Sequence, residues 1–319
     1  MSFQIRRLLS ASTRNIGNTS SQIASEFLTR VQYNGPLSSS QLLDGNQLQR
    51  LSQTLNRANL SPDQPFLTQA PPNGTPVPAG YHLAYFTPSA LESGLGSDGS
   101  DRLVNPKAPF TRRMWAGGEI TWMPGNLLKV GDIVTESTKF LSAVPKKTRL
   151  GEEMIIVGLE KSFENDQGLA LVDRRDWVFR PEITDTVSLS HAGAAVPFPE
   201  GSHIRDFIHT PVSLFRFSAL TFNAHKIHYS LPWCREVEGH RNLVVHGPLN
   251  LIQILDLWRD TRPKGSFAFP KSIKYRASSP VYAEEPYRIV LKDNGDGQHD
   301  VKIWTREGKV GMTATIQAF

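Results

Sequence analysis

Asn223, His225, His228 and His246 lie in one stretch of the chain, which leads directly to the dipeptide Gly247-Pro248. Pro248 suits the first position of a helix, where its missing N–H costs nothing, and this makes Gly247 the predicted N-cap. Free backbone N–H groups at such a helix start favour negative charge on a ligand. Imidazoles beside a helix start therefore predict a site that stabilises a developing oxyanion. For each histidine taken alone, a purely structural role is the alternative.

The segment that follows, residues 248–258, is apolar on nearly every side. A helix of this kind is buried within a domain. At about 11 residues it is too short to cross a bilayer, which needs about 20. We therefore expect a helix that is wrapped by a sheet, and we predict no membrane span anywhere in the chain.

Zinc is an alternative use of the same side chains. His225 and His228 have the spacing His-x-x-His, and His240 and His246 could add further imidazole ligands. No cysteine or carboxylate of familiar spacing accompanies them, so we predict no metal. Glycine-rich nucleotide motifs and a Gly-x-Ser-x-Gly elbow are also missing from the sequence, and we predict no cofactor.

The stretch resembles the signature of the R-specific hydratases, the MaoC-like group of the hotdog superfamily. In that group Asp-x-Asn-x-x-His is followed by a His-Gly dipeptide that opens the central helix. The matching positions here are Asn223-Ala-His225-Lys-Ile-His228 and His246-Gly247. The sequence around the motif is similar to that of a subgroup whose members carry two hotdog units in one chain. This subgroup contains the mitochondrial 3-hydroxyacyl-thioester dehydratases type 2 and the mesaconyl-C4-CoA and itaconyl-CoA hydratases. The resemblance extends back to residues 112–118.

The resemblance implies a hydro-lyase that reversibly hydrates a 2-enoyl or methylene acyl thioester. His228 is then the base that activates water, because an imidazole can take up and return a proton near neutral pH. The amide of Gly247 holds charge on the thioester oxygen. Asn223 orients the water or the imidazole, but it stands where the wider family has a titratable Asp. The second proton carrier is therefore left open between His225 and Glu119.

The expected substrate is a short branched dicarboxylic acyl-CoA, such as itaconyl-CoA or mesaconyl-CoA. Carrier-protein thioesters of mitochondrial fatty acid synthesis are the alternative; a thioesterase and a binding protein with a lapsed site are more distant ones. We expect no nucleic-acid partner, and a homodimer is possible. The candidate substrate-binding residues are His246, Phe222, Arg216 and Arg113.

The implied fold is an α+β double hotdog, in which each unit is a buried helix wrapped by an antiparallel sheet. Apolar and β-branched runs between turn clusters predict the strands. A helix is predicted over residues 38–57, beginning at a serine run, with Leu48, Leu51 and Leu55 on one side. Residues 81–91 match the first unit's central helix, broken up and lengthened. The predicted strands are 118–122, 132–143, 153–161, 169–179, 272–277, 287–291, 301–305 and 309–317.

The first 25 residues contain three arginines and no acid, a composition typical of a mitochondrial transit peptide; an unstructured tail is the alternative. Removing them lowers the formal charge from +5 to +2, so the basic character reflects targeting more than nucleic-acid binding. A single cysteine, Cys234, allows no internal disulfide. We predict a mitochondrial matrix protein with a transit peptide at 1–25, a degenerate hotdog unit at 26–180, a linker at 181–203 and a catalytic MaoC-like unit at 204–319.

Overall fold

The helices and strands come from a computed structural model, which describes residues 19–61, 64–65, 68–148, 150–183, 188–263 and 268–319. The α-helices of these residues are α1 Ser20–Tyr33, α2 Gly45–Thr54, α3 Pro211–Leu220 and α4 Gly247–Asp260. The strands are β1 Leu37–Leu42, β2 Asn59–Ser61, β3 Gln64–Pro65, β4 Arg112–Trp122, β5 Ile133–Lys147, β6 Glu153–Asn165, β7 Gly168–Arg180, β8 His203–Phe207, β9 Pro270–Ala277, β10 Tyr287–Gly295, β11 Gln298–Thr305 and β12 Val310–Ala318.

Ten of these strands form one antiparallel sheet in the order β1-β5-β6-β7-β4-β9-β12-β11-β10-β8. Read outwards from the centre, the first half runs β4-β7-β6-β5-β1 and the second runs β9-β12-β11-β10-β8. Each half thus repeats the same order, and the two meet where β4 pairs with β9 from Gly117↔Arg276 to Thr121↔Ser272. The predicted α+β fold of two sheet-wrapped units is confirmed, and both units share one continuous sheet.

Helix α4 lies inside the second unit, as its apolar sequence predicts. Every residue from Leu249 to Trp258 is buried, including the polar Asn250, Gln253 and Asp256. Asp256 accepts hydrogen bonds from the Tyr81 hydroxyl, at 3.0 Å, and from Arg259, at 2.6 Å, so its charge is compensated. The helix begins at Gly247 with His246 as its N-cap, one residue earlier than predicted.

The helical part of the first unit is much shorter. At 81–91, where the resemblance implied a broken and lengthened helix, only Tyr81–Ala84 forms a turn of 3-10 helix. The backbone of Gly80 packs closely on α4, because a Cβ there would lie 2.7 Å from a methyl carbon of Leu255. The start of this 3-10 turn is thus in close contact with helix α4 of the second unit.

The prediction of a helix over residues 38–57 is wrong in its first part. The serine run belongs to β1, which pairs with β5, and α2 begins only after Asp44, whose carboxylate caps it. Leu48, Leu51 and Leu55 are buried on one side, as predicted. The serines form a strand because their backbone groups pair with β5, whereas their side chains are exposed and specify little.

Helix α1 covers the outer face of the first half of the sheet. Thr19 and Gln22 form a capping box at its start, and Ile23, Ala24 and Phe27 are buried. The predicted boundary at residue 25 therefore falls inside a packed helix, and the structured part of the chain begins by Thr19. Residues 1–18 of the predicted transit peptide lie outside the described residues.

The predicted linker at 181–203 is described at 181–183 and from residue 188. Residues 188–202 have no regular structure, and β8 begins at His203. This segment is attached to the second unit, because Ser190 N–H donates to the Gly239 carbonyl and Val196 N–H to that of Arg306. In the described part of the chain, none of the helices has the length and apolar character needed to cross a membrane.

Candidate active site

Two imidazoles stack at the start of α4. The ring centroids of His228 and His246 are 3.6 Å apart, and the planes are inclined by only 18°. His246 is 1% exposed and shares a 2.9 Å hydrogen bond between its Nε2 and the hydroxyl of Ser218 on α3. The stack therefore holds the ring of His228 against the residue that immediately precedes Gly247.

One hydrogen bond fixes which nitrogen of His228 carries the proton. Its Nδ1 lies 2.7 Å from the Val244 carbonyl oxygen. A carbonyl can only accept, so Nδ1 holds the hydrogen and Nε2 keeps the lone pair. Burial, helped by the nearby His225, lowers the pKa of His228 to about 3. No hydrogen bond joins Nε2 to another described residue, so this nitrogen is free to take up a proton.

The N-terminus of α4 provides a hydrogen-bond donor beside this base. Among the described residues, nothing accepts a hydrogen bond from the N–H of Gly247. A Cβ at this position would lie 2.4 Å from Cε3 of Trp115 on β4. Glycine is therefore required by the close approach of an indole from the first unit. A free amide at the positive end of a buried helix can stabilise negative charge on an oxygen.

Asn223 uses its side-chain oxygen within the chain turn. Its Oδ1 accepts the backbone N–H of His225 at 3.1 Å, which is the geometry of an Asx-turn. The ring of His225 in turn meets that of His228 edge-to-face, with centroids 5.5 Å apart. Burial lowers the pKa of His225, while the charge of Asp98 opposes the shift. This hydrogen bond ties Asn223 to the turn that carries the second imidazole.

A carboxylate from the first unit completes the cluster, and sequence reasoning missed it. Asp98 lies in the loop of residues 95–101, and its Oδ2 is 3.7 Å from Nε2 of His225. The Asp98 carbonyl also accepts the backbone N–H of Lys226 at 2.7 Å. The sequence predicts this Gly-Leu-Gly-Ser-Asp-Gly-Ser segment only as a break in regular structure, and one acid between glycines gives no pattern that points to a distant histidine.

Arg113 reaches the same region from β4. Its guanidinium lies over the ring of Trp177, 4.6 Å from the ring centroid. Burial lowers the pKa of Arg113, and the charges of Asp101 and Asp98 oppose that change. None of the described residues accepts a hydrogen bond from its guanidinium or forms an ion pair with it. The neighbouring Arg112, by contrast, donates to the carboxylate of Glu238.

Two of the predicted substrate-binding residues are exposed to solvent. Arg216 is on the exposed side of α3, and Phe222 is 65% exposed with a φ of 48°. Glu119, a candidate proton carrier, is on β4. It pairs across the sheet with Arg174 and Lys274, and it alternates with the fully buried Ile120. Its side chain therefore projects from the face of β4 opposite to that of Ile120, away from the core that contains helix α4.

The imidazoles do not form a metal site in the described part of the chain. No group of three His, Cys, Asp or Glu side chains converges there as metal ligands would. Of the imidazoles considered for zinc, His228 and His246 are stacked face to face, so their nitrogens do not point at a common centre.

The fold is that of the MaoC-like dehydratases. A MaoC-like dehydratase from Phytophthora capsici superposes with a TM-score of 0.64 at 14% identity, covering 89% of this chain and 95% of its own. HtdX of Mycobacterium tuberculosis gives a TM-score of 0.61 at 17% identity, covering 89% of this chain and all of its own. These similarities, at low identity, define the class of fold: a MaoC-like hotdog.

The sequence then identifies the family. Residues 80–283 match the family model for hydroxyacyl-thioester dehydratase type 2. A mesaconyl-C(4)-CoA hydratase of Chloroflexus aurantiacus is 31% identical over 78% of this chain and 88% of its own length. A mitochondrial hydroxyacyl-thioester dehydratase type 2 of Schizosaccharomyces pombe is 28% identical over 70% of this chain and 80% of its own. The chain belongs to the hydroxyacyl-thioester dehydratase type 2 family and is a hydro-lyase.

Proposed function

We propose that the protein reversibly adds water across the C2=C3 bond of an enoyl thioester, with His228 as the base and the Gly247 amide as the donor to the thioester oxygen. One observation carries the proposal. A neutral imidazole with a free Nε2 is stacked on the N-cap of a buried helix, next to a Gly247 N–H that has no acceptor among the described residues. Acid–base and oxyanion groups of this kind are what the reaction needs.

In hydration, His228 Nε2 takes a proton from water while the water oxygen bonds to C3. The π electrons move onto the thioester as an enolate, whose oxygen accepts the Gly247 N–H. Removing one such donor costs about 3–4 kcal/mol of transition-state stabilisation in comparable sites. A proton is then delivered to C2. Dehydration reverses these steps, with removal of the C2 proton and loss of water from C3.

The proposed substrate is a short branched dicarboxylic acyl-CoA of the mesaconyl or itaconyl type. The 31% identity to a mesaconyl-C(4)-CoA hydratase supports this choice. The partly buried guanidinium of Arg113, which has no ion-pair partner among the described residues, supports it independently. A substrate carboxylate would satisfy Arg113 through a charge-assisted hydrogen bond, and Arg is well suited to bidentate contacts with carboxylates.

The second candidate is the dehydratase of mitochondrial fatty acid synthesis, acting on a 3-hydroxyacyl thioester of a carrier protein. It is favoured by the S. pombe relative and by the family match. The two candidates share their chemistry and differ in the acyl chain and its carrier.

A substrate panel tests both candidates. We would follow the absorbance of the conjugated thioester with CoA and carrier-protein substrates, each with and without a second carboxylate. The first proposal expects the highest kcat/KM for the dicarboxylic CoA thioester, and the second for the carrier-protein thioester. His228→Gln should lower kcat/KM by about 100-fold or more. Release of free thiol in place of hydration would indicate a thioesterase, and unchanged activity of the variant would exclude His228 as the base.

We place the protein in the mitochondrial matrix, on the basis of the arginine-containing, acid-free leader and the mitochondrial relatives. A fluorescent fusion to the full chain should enter mitochondria, whereas one that begins at Thr19 should stay outside. Protease protection in isolated mitoplasts would separate the matrix from the intermembrane space. A homodimer is a further prediction, which light scattering coupled to size exclusion would test.

A further inference from the structure

Building on the proposed function, we propose that Asp98, carried by a loop of the first unit, positions His225 as the proton carrier for C2. Asn223 cannot titrate, and Glu119 lies on the wrong face of the sheet. The carboxylate that the reaction needs beside its imidazoles is therefore supplied from the other half of the chain. His225 exchanges the proton, and Asp98 acts through His225.

The loop that carries Asp98 is seated firmly on the His225 turn. Lys226 holds it twice, through its backbone N–H to the Asp98 carbonyl and through its ammonium to the Ser97 carbonyl, each at 2.7 Å. Gly99 has a φ of +79°, and a Cβ there would lie 2.0 Å from the Ala224 carbonyl oxygen. The contact therefore requires a glycine beside the acid, and it brings the two units together at the site.

The two oxygens of the Asp98 carboxylate have different partners. Oδ1 accepts the backbone N–H of Ser100 at 2.9 Å and its hydroxyl at 2.8 Å. Oδ2 faces Nε2 of His225 at 3.7 Å. At 3.7 Å this is an ion-pair contact rather than a hydrogen bond, so Asp98 acts on the ring through its charge, on the side of Nε2. We infer that Nδ1 exchanges protons with substrate, while the nearby carboxylate stabilises the charged imidazole without being protonated itself.

Charges of both signs act on the pKa of His225, and the net effect with burial is to lower it. Asp98 and Glu238 favour its protonated form, whereas Arg112 and Arg113 oppose it and burial opposes it most strongly. The neighbouring His228 is neutral, since burial lowers its pKa to about 3. Burial therefore disfavours protonated His225 enough for it to release its proton. The charge of Asp98 makes protonation easier than burial alone would allow.

The step balances as follows. His228 Nε2 accepts a proton from water as the C3–O bond forms and the enolate develops. The enolate then forms the C2–H bond with the proton on His225 Nδ1, and His225 becomes neutral. The proton on His228 passes to solvent, and His225 regains one from solvent. No oxidant, metal or further reactant is required.

Asp98→Asn is the decisive variant, because an amide oxygen can still accept both hydrogen bonds from Ser100 while the negative charge is lost. We expect kcat to fall about 100-fold with KM changed less than about threefold. The primary isotope effect on dehydration of a C2-deuterated hydroxyacyl thioester should rise, because transfer of the C2 proton becomes slower. Glu92→Gln makes the same change at an exposed acid of the preceding turn and should change neither.

A double variant completes the experiment. If Asp98 acts through His225, Asp98→Asn should lower kcat far less in a His225→Gln background than in the wild type. Additive losses, an unchanged isotope effect or wild-type kcat in Asp98→Asn would each overturn the inference. These outcomes leave the proposed function intact as long as wild type hydrates the thioester and His228→Gln does not; absence of turnover by wild type would count against the function itself.

Discussion

The indole of Trp115 lies so close to the backbone of Gly247 that any side chain at 247 would collide with it. The built Cβ position is 2.4 Å from Cε3 and 3.1 Å from Cζ3 of that ring. Trp115 belongs to the first unit and Gly247 to the second, and the indole also packs on Tyr275 with centroids 5.0 Å apart. One unit thus sets the position of the other unit's proposed oxyanion donor.

Gly247→Ala should therefore destabilise the protein and reduce hydration. Overpacking of this kind costs about 1–3 kcal/mol, because the indole or the helix start must move. We expect a lower urea midpoint and a fall in kcat. Trp115→Leu in the same chain should restore part of the stability, which a double-mutant cycle measures as a coupling energy. A stable and fully active Gly247→Ala variant would contradict the contact.

Gly99→Ala should displace the loop that carries Asp98. The new methyl group would meet the Ala224 carbonyl oxygen, and the positive φ adds strain. We expect a fall in kcat at least as large as that of Asp98→Asn. Gly94→Ala is the matched control, since no atom lies within 4 Å of its built Cβ, and activity should stay unchanged. Equal activities of the two variants would show that the loop can move without consequence.

Arg113→Met should discriminate between substrates. If the guanidinium binds a substrate carboxylate, kcat/KM for a dicarboxylic acyl-CoA should fall about 10- to 100-fold, as expected for a lost charge-assisted hydrogen bond. A monocarboxylic thioester of similar length should change little. Arg50→Met, at an exposed position on α2, serves as the control. An equal loss on both substrates would assign Arg113 to structure rather than selectivity.

Stability should fall as the pH drops through the range in which histidines normally titrate. Burial lowers the pKa of His228 to about 3 and of His209 to about 4, and it holds that of His246 well below its usual value. The unfolded chain, with histidine pKa values near 6.5, binds more protons than the folded chain between about pH 6.5 and 4. The free energy of unfolding therefore decreases with falling pH, by up to about 1.4 kcal/mol per pH unit for each such histidine.

Urea unfolding at several pH values would measure this slope. His228→Gln should make the slope shallower, because one buried imidazole no longer titrates on unfolding. A slope that is the same in the wild type and in the variant would mean that His228 is accessible to protons in the folded state.

Much of the fold follows from local patterns in the sequence. The eight long strands at 112–122, 133–147, 153–165, 168–180, 270–277, 287–295, 298–305 and 310–318 coincide with the eight predicted ones, of which those at 132–143 and 309–317 were predicted to begin one residue too early. Helix α4 was predictable because its apolar residues cover every side and its proline marks the start. The serine run of β1 was not, because its side chains are exposed and the strand depends on pairing with a distant part of the chain.

The site was less predictable where it depends on contacts between the units. The motif predicted the grouping of His225, His228 and Gly247, since a few residues and one helix start determine it. The face of Glu119 depends on a β-bulge between Trp115 and Gly117, which shifts the alternation along β4. Asp98 could not be found because it contacts a residue more than 100 positions away in the sequence. The contact also depends on Gly99, where any side chain would collide with the Ala224 carbonyl oxygen.

The pairing of β4 with β9 joins the two halves into one sheet, and the proposed site also needs residues from both halves. Trp115, Arg113 and Asp98 precede the predicted linker, whereas His225, His228 and His246 follow it. Either half alone, or a half duplicated in place of the other, would therefore lack some of the proposed catalytic and substrate-binding residues. If the backbone were cut within residues 188–202, we expect each fragment alone to lack hydratase activity and the two fragments produced together to regain it.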